Sequence, residues 1–172
     1  MKSLALLVAM GFAFSSAQAA DQVSGTFTVK GKPAPLHYIY AFWRPSLMKQ
    51  GTFDLFVLLS DVPIPNDTLP WDDDGFGKMA ALVRDDKIHA FEVHFDGASS
   101  DLFGGEQGGL YDLAIAPAHQ GAVGMVHFQP DETSPGIRAG KLSVDDDTEK
   151  TLGWKIEATF SVAIPPQPPA KP

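Results

Sequence analysis

Five histidines raise the first chemical question: His37, His89, His94, His119 and His127. Glu92 and His94 stand two apart in the predicted strand from Lys87 to Phe95. There Phe91, Val93 and Phe95 alternate with Ala90, Glu92 and His94. Side chains two apart on a strand leave by the same face, as a pair of metal ligands must. His127 lies between Val126 and Phe128 on a second predicted strand and takes the face opposite to theirs. If the two strands are neighbours, Glu92, His94 and His127 make a His/His/Glu site for a divalent metal. The competing expectation is three ordinary solvent-facing polar side chains, because neither H-x-x-x-H nor H-E-x-x-H spacing occurs. Met48, Met79 and Met125 form no cluster that would favour copper.

Other chemistries find less support. Asp72-Asp73-Asp74-Gly75 starts like a calcium loop, but Phe76 falls at the fifth position and Val83 where the closing Glu belongs. Helix capping, with Asp74 as N-cap, accounts for the same residues. Asp145 to Asp147 reads as a solvated turn. Ser99, Ser100 and Asp101 follow a glycine turn, yet no G-x-S-x-G elbow is present, so no catalytic constellation is assigned. The stretch Gly104 to Gly109 opens no helix and lacks Lys-Ser/Thr, so it reads as a hairpin loop and not as a phosphate cradle. Tyr38, Tyr40 and Phe42 share a strand face, which core packing explains more simply than a binding platform does. Trp71, between Pro70 and the acidic run, is the candidate binding residue, as a loop tryptophan that would either mark a contact surface or pack over the core.

The elements that would position these residues follow from composition and patterning. In 172 residues, 13 Lys+Arg face 21 Asp+Glu, a formal charge of -8. An acidic balance argues against a nucleic-acid partner, which needs a basic footprint. With 44% hydrophobic and 20% charged residues the chain has enough apolar surface to form a core. The absence of Cys removes disulfides, thiolate metal sites and a Cys nucleophile.

Met1-Lys2, the apolar run Leu4 to Phe14 and the small-x-small Ala17-Gln18-Ala19 have the form of a bacterial export signal over residues 1–19. Cleavage is expected before Ala20, and periplasmic or secreted localisation follows. Removal of Lys2 leaves 12 basic against 21 acidic residues, a charge of -9. The apolar run is too short to span a bilayer, and no longer run follows it.

Beyond the signal, alternation predicts strands joined by Gly/Pro/Asp turns. They cover Val23 to Lys30, Leu36 to Trp43, Phe53 to Leu59, Lys87 to Phe95, Leu110 to Ala116, Gly121 to Phe128, Ile137 to Val144 and Trp154 to Val162. Leu36 to Trp43 is apolar on both faces and is expected to be central and covered twice. Gly31 to Pro35 is expected to be a turn. One helix is predicted, from Phe76, Met79, Ala80 and Val83 at i, i+3, i+4 and i+7. The fold class is therefore mainly β: an antiparallel β-sandwich or partly open barrel of about seven to nine strands with one short helix. A single domain is expected over residues 20–164, followed by a Pro-rich mobile tail over 165–172.

Four segments carry a resemblance: Gly25 to Lys32, Ile39 to Phe42, Val57 to Pro65 and Ala158 to Ile164. Together they resemble a group of exported bacterial β-sandwich-like proteins of unknown function. The resemblance implies export, one domain and β architecture, and it carries over no functional residue. The functional expectation is an exported domain that binds an unknown protein or small molecule. The alternative is a periplasmic metal-binding protein or metal-dependent enzyme built on Glu92, His94 and His127. Oligomeric state has no signature in the sequence.

Overall fold

The computed structural model describes residues 21–169 apart from 47–48, 70–72, 98, 100–109, 113–118, 121–125, 132–134, 146, 148–149 and 152. The predicted signal segment, Trp71, Asp72, the Ser100-Asp101 pair and the Gly104 to Gly109 stretch lie outside the described residues.

Ten strands are present among the described residues: β1 Gln22–Val29, β2 Lys32–Pro35, β3 Tyr38–Pro45, β4 Phe53–Ser60, β5 Ala90–Phe95, β6 Leu110–Asp112, β7 His119–Gln120, β8 Val126–Pro130, β9 Ile137–Val144 and β10 Trp154–Ala163. One helix, α1, covers Asp73–Arg84. The first sheet runs β2-β1-β10-β9-β8 and the second β3-β4-β5-β6-β7, with every pairing antiparallel. β6 and β7 are short extensions of three and two residues. Neither sheet closes on itself, so the architecture is a β-sandwich and not a barrel.

The alternating runs of the sequence supply the interface between the sheets. Phe27 of β1 and Trp154, Ile156, Phe160 and Val162 of β10 turn inward, to meet Leu55, Val57 and Leu59 of β4 and Phe91, Val93 and Phe95 of β5. At one end Phe27, Phe91 and Trp154 meet with ring centroids 5.2–6.3 Å apart. At the other, Phe128 packs edge-on to Phe95 and stacks on Phe160. Emptying one of these ring positions would cost about 3–5 kcal/mol. Arg138 closes the Phe95 end, its guanidinium 4.9 Å from that ring and bonded to the carbonyl of Ser99.

Three local expectations change. Gly31 to Pro35 is not all turn: Lys30 and Gly31 (φ 50° and 74°) make a two-residue hairpin, and Lys32–Pro35 forms β2. Pro33 and Pro35 are tolerated because β2 is an edge strand, where a missing N–H breaks no ladder. β3 is covered on both faces as its composition requires, but it is an edge strand and not a central one. α1 begins at Asp73, so Asp74 stands within its first turn and not at the N-cap.

A third layer explains the apolar outer face of the second sheet. Phe42, Phe56, Leu58 and Ala90 point away from the sandwich core and are buried beneath Ile64, Leu69, Met79 and Ile88. Met79 and Ala80, on the apolar stripe of α1, are buried. Tyr40 Oη accepts the Ile64 N–H at 2.8 Å, which ties the proline-rich loop to β3. The residues after β10 are also anchored: Ile164 N–H bonds Gly136 O, and the Trp43 indole donates to Pro165 O at 2.8 Å. No helix among the described residues is long and apolar enough to cross a membrane.

Candidate functional site

The second sheet carries ionisable side chains where its outer face leaves the apolar cluster. Strand register sets them in rows: Arg44 of β3 opposite Asp54 of β4, Phe56 opposite His94 of β5, and Leu58 opposite Glu92. Arg44, Asp54, Glu92 and His94 therefore share one face. The Asp54, Glu92 and His94 side chains are each 1% exposed, while Arg44 retains 22%.

His94 stacks on Phe56, centroids 4.1 Å apart, and its Nε2 lies 3.0 Å from Asp54 Oδ2. A carboxylate only accepts, so Nε2 carries the hydrogen. Asp54 Oδ1 accepts the Gly97 N–H at 3.0 Å. Burial pushes the His94 imidazole below its ordinary value, against the opposing pull of Asp54. The ring is thus a neutral donor locked between a phenyl ring and a carboxylate.

Glu92 is less well provided for. Its Oε1 lies 3.4 Å from Arg44 Nη1. Its Oε2 is buried and, among the described residues, has no hydrogen-bond partner. Burial pushes the carboxyl up to about 7, and the Arg44 guanidinium only partly offsets this. The Arg44 guanidinium itself sits 4.7 Å from the Phe56 ring centroid. The group can exchange a proton near neutral pH. A substrate reaching Glu92 or His94 would first have to displace the residues that cover them.

Of the three candidate metal ligands, the fold brings two together. Glu92 and His94 share the outer face of the second sheet. His127 belongs to β8 of the first sheet, where its side chain is 53% exposed and bonds Asp145 Oδ1 at 2.8 Å. β8 and β5 are in different sheets, and the three side chains leave by opposite outer faces of the sandwich. Among the described residues no group of three or more His, Cys, Asp or Glu side chains is placed to hold a metal ion. The solvent-facing expectation holds for His127 and fails for Glu92 and His94, whose side chains are buried.

The outer face of the first sheet offers space instead. A groove of about 490 Å³ crosses β1, β10 and β9. Its floor is set by register: Gln22 opposite Ser161, with Ala139 beyond, and Ser24 opposite Thr159. These are short or flexible polar side chains, and Ala139 adds depth beside Ser161. Asp21, Asp131 and His37 stand at its margins. Asp21 Oδ1 accepts the Ala163 N–H at 2.9 Å, and Asp131 N–H bonds Ala139 O. His37 is placed by Leu36 N–H to Gly25 O and its own N–H to Ser60 O.

Gly25 makes that last placement possible. Its φ is 132°, and a Cβ there would come within 2.1 Å of Glu157 O. Only glycine allows β1 to approach β10 so closely while presenting its carbonyl to Leu36.

Sequence patterning found Glu92 and His94 but not their partners. Asp54 had a signal, a lone carboxylate inside the apolar run Phe53 to Leu59, where a charge must be buried and therefore paired. The groove residues had none, because outward Ser, Thr and Gln on a half-buried strand look alike whether or not they line a depression.

No family model, no curated protein and no solved structure matches the chain. The resemblance to exported β-sandwich-like proteins therefore rests on its four strand and turn segments alone.

Proposed function

We propose that this chain is an exported binding protein whose ligand seat is the groove across β1, β10 and β9. Export follows from the form of residues 1–19. The observation that carries the binding reading is the state of the floor. Among the described residues no hydrogen bond joins the side chains of Gln22, Ser24, Thr159 or Ser161 to another protein group, and all four line a space of about 490 Å³. A volume in the range of about 300–1,000 Å³ with a few converging polar groups is typical of small-molecule sites. Their backbone lies in paired strands, so the backbone share of the ordering cost of binding is already met by folding. The ionisable cluster lies on the outer face of the second sheet and does not face this space.

Thr159→Lys tests the reading. Thr159 is exposed and its backbone is paired, so the change should leave stability within about 0.5 kcal/mol. A water-soluble fragment library is screened by ¹H–¹⁵N shift changes. Fragments should move the amides of Ser24, Thr159 and Ser161 in the natural chain and not those of the folded variant. A library that leaves these amides unmoved in the natural chain removes the groove as a ligand seat.

A further inference from the structure

We infer that the groove takes a neutral, hydroxyl-rich ligand of mono- or disaccharide size. The inference rests on the groove being a binding seat and names its ligand class.

The argument is one of hydrogen-bonding inventory. Ser24, Thr159 and Ser161 each offer a hydroxyl that both donates and accepts, and Gln22 offers an amide that does both. Asp21 and Asp131 supply acceptors, and His37 adds its two ring nitrogens. A sugar ring presents the matching set, since each hydroxyl gives one hydrogen and receives others. Its bonds to the two carboxylates would be charge-assisted and short, the strongest class available here.

Other ligand classes fit less well. Among the described residues no Lys or Arg lines the groove, and Asp21 and Asp131 do, so a phosphate or carboxylate ligand meets repulsion there without a fork to hold it. A metal ion lacks a set of three ligands among the described residues. A flat aromatic or fatty ligand would meet the apolar share of the lining at Val23 and Ala139 but would leave the hydroxyls of Ser24, Thr159 and Ser161 without partners. The size is also suitable, as about 490 Å³ accommodates one or two sugar rings with bound water.

The geometry adds directionality. Gln22 and Ser161 form one row and Ser24 and Thr159 the next on the same face, about two residues along the strands. Two rows of polar groups at strand spacing meet successive hydroxyls on one edge of a ring. Asp131, held to Ala139 by its backbone N–H, and Asp21, held to Ala163 by its carboxylate, are fixed by bonds to the strands forming the floor.

The test is an NMR titration of the full exported chain with glucose, galactose, mannose, N-acetylglucosamine, maltose and lactose, beside spermidine and citrate. At least one saccharide should shift the amides of Ser24, Thr159 and Ser161 along a saturable curve. Asp131→Ala, an exposed position, should weaken that saccharide roughly tenfold with an unchanged melting temperature. Saturable shifts from spermidine or citrate alone would overturn the saccharide assignment and make the groove an amine or anion site. Silence from all eight probes, while the fragment library still moves these amides, would also overturn it but leave the binding seat standing. Silence from the library as well would remove the seat itself.

Discussion

His94 on β5 and His127 on β8 each meet an aspartate, at 3.0 and 2.8 Å. The His94–Asp54 side chains are 1% exposed, while those of His127 and Asp145 are 53% and 62% exposed. The bonded atoms are the same and the strands are similar. What differs is burial: His94 stacks on Phe56 beside the apolar cluster of the third layer, whereas His127 faces solvent. Over β3, β4 and β5 the loop after β4 and α1 bring Ile64, Leu69 and Met79 down onto Phe42, Phe56 and Leu58. Over β1, β10 and β9 there is a groove lined by small polar side chains. Identical hydrogen-bonding groups therefore become a structural buried pair on one face and a solvated surface pair on the other.

The largest expected contrast comes from removing each aspartate. Asp54→Ala strips His94 and the Gly97 N–H of a charged acceptor in a buried site, so it should cost about 3 kcal/mol or more. A urea unfolding midpoint that barely moved would mean the His94 face is open to water. At the groove's edge, Gly25→Ala forces a Cβ against Glu157 O and should cost about 2 kcal/mol. It should also displace His37 and weaken any groove ligand.

A pH series sharpens the contrast. The Glu92 carboxyl stands at about 7 in the fold against 4.5 for a free glutamate. Between these values the native state holds a proton that the unfolded chain has lost. Stability therefore falls as pH rises through that window and levels off above it. His94 acts in the opposite sense: its native value is depressed below 6.5, so its contribution is lost as pH falls through that depressed value. Glu92→Gln keeps the shape and removes only the Glu92 part. Relative to the variant, the natural chain should lose stability from pH 4.5 to 7, by about 3 kcal/mol at most, since the His94 contribution is common to both. Parallel stability profiles for the two proteins would show that Glu92 is hydrated.

The smallest effect is expected at the exposed pair. Asp145→Ala should change stability by less than about 0.5 kcal/mol, and added salt should erase what remains. A larger loss would place His127 and Asp145 in a constrained site and reopen the question of a ligand there.

Much of the fold was legible in local pattern. Trp154, Ile156, Ala158, Phe160 and Val162 alternate with Lys155, Glu157, Thr159 and Ser161, and period two leaves no other solution than a strand with one buried face. The same rule put Glu92 and His94 on one face. It failed where an apolar composition had two explanations. β3 is apolar on both sides because it has core beneath and a helix layer above, a condition that an edge strand meets as well as a central one.

The sequence by itself determined which side chains share a face, the absence of thiol chemistry and the mainly β architecture, since all of these depend on residue type and on neighbours two or four positions away. Only the tertiary structure decided that Glu92 and His94 are sealed while His127 is exposed, and that Ser24 and Thr159 line a groove. Those outcomes depend on which strands pair and on which sheet receives α1. Such contacts join residues scores of positions apart, as Asp54 joins His94 and Asp21 joins Ala163, and their energy is realised only when the whole chain has closed around them.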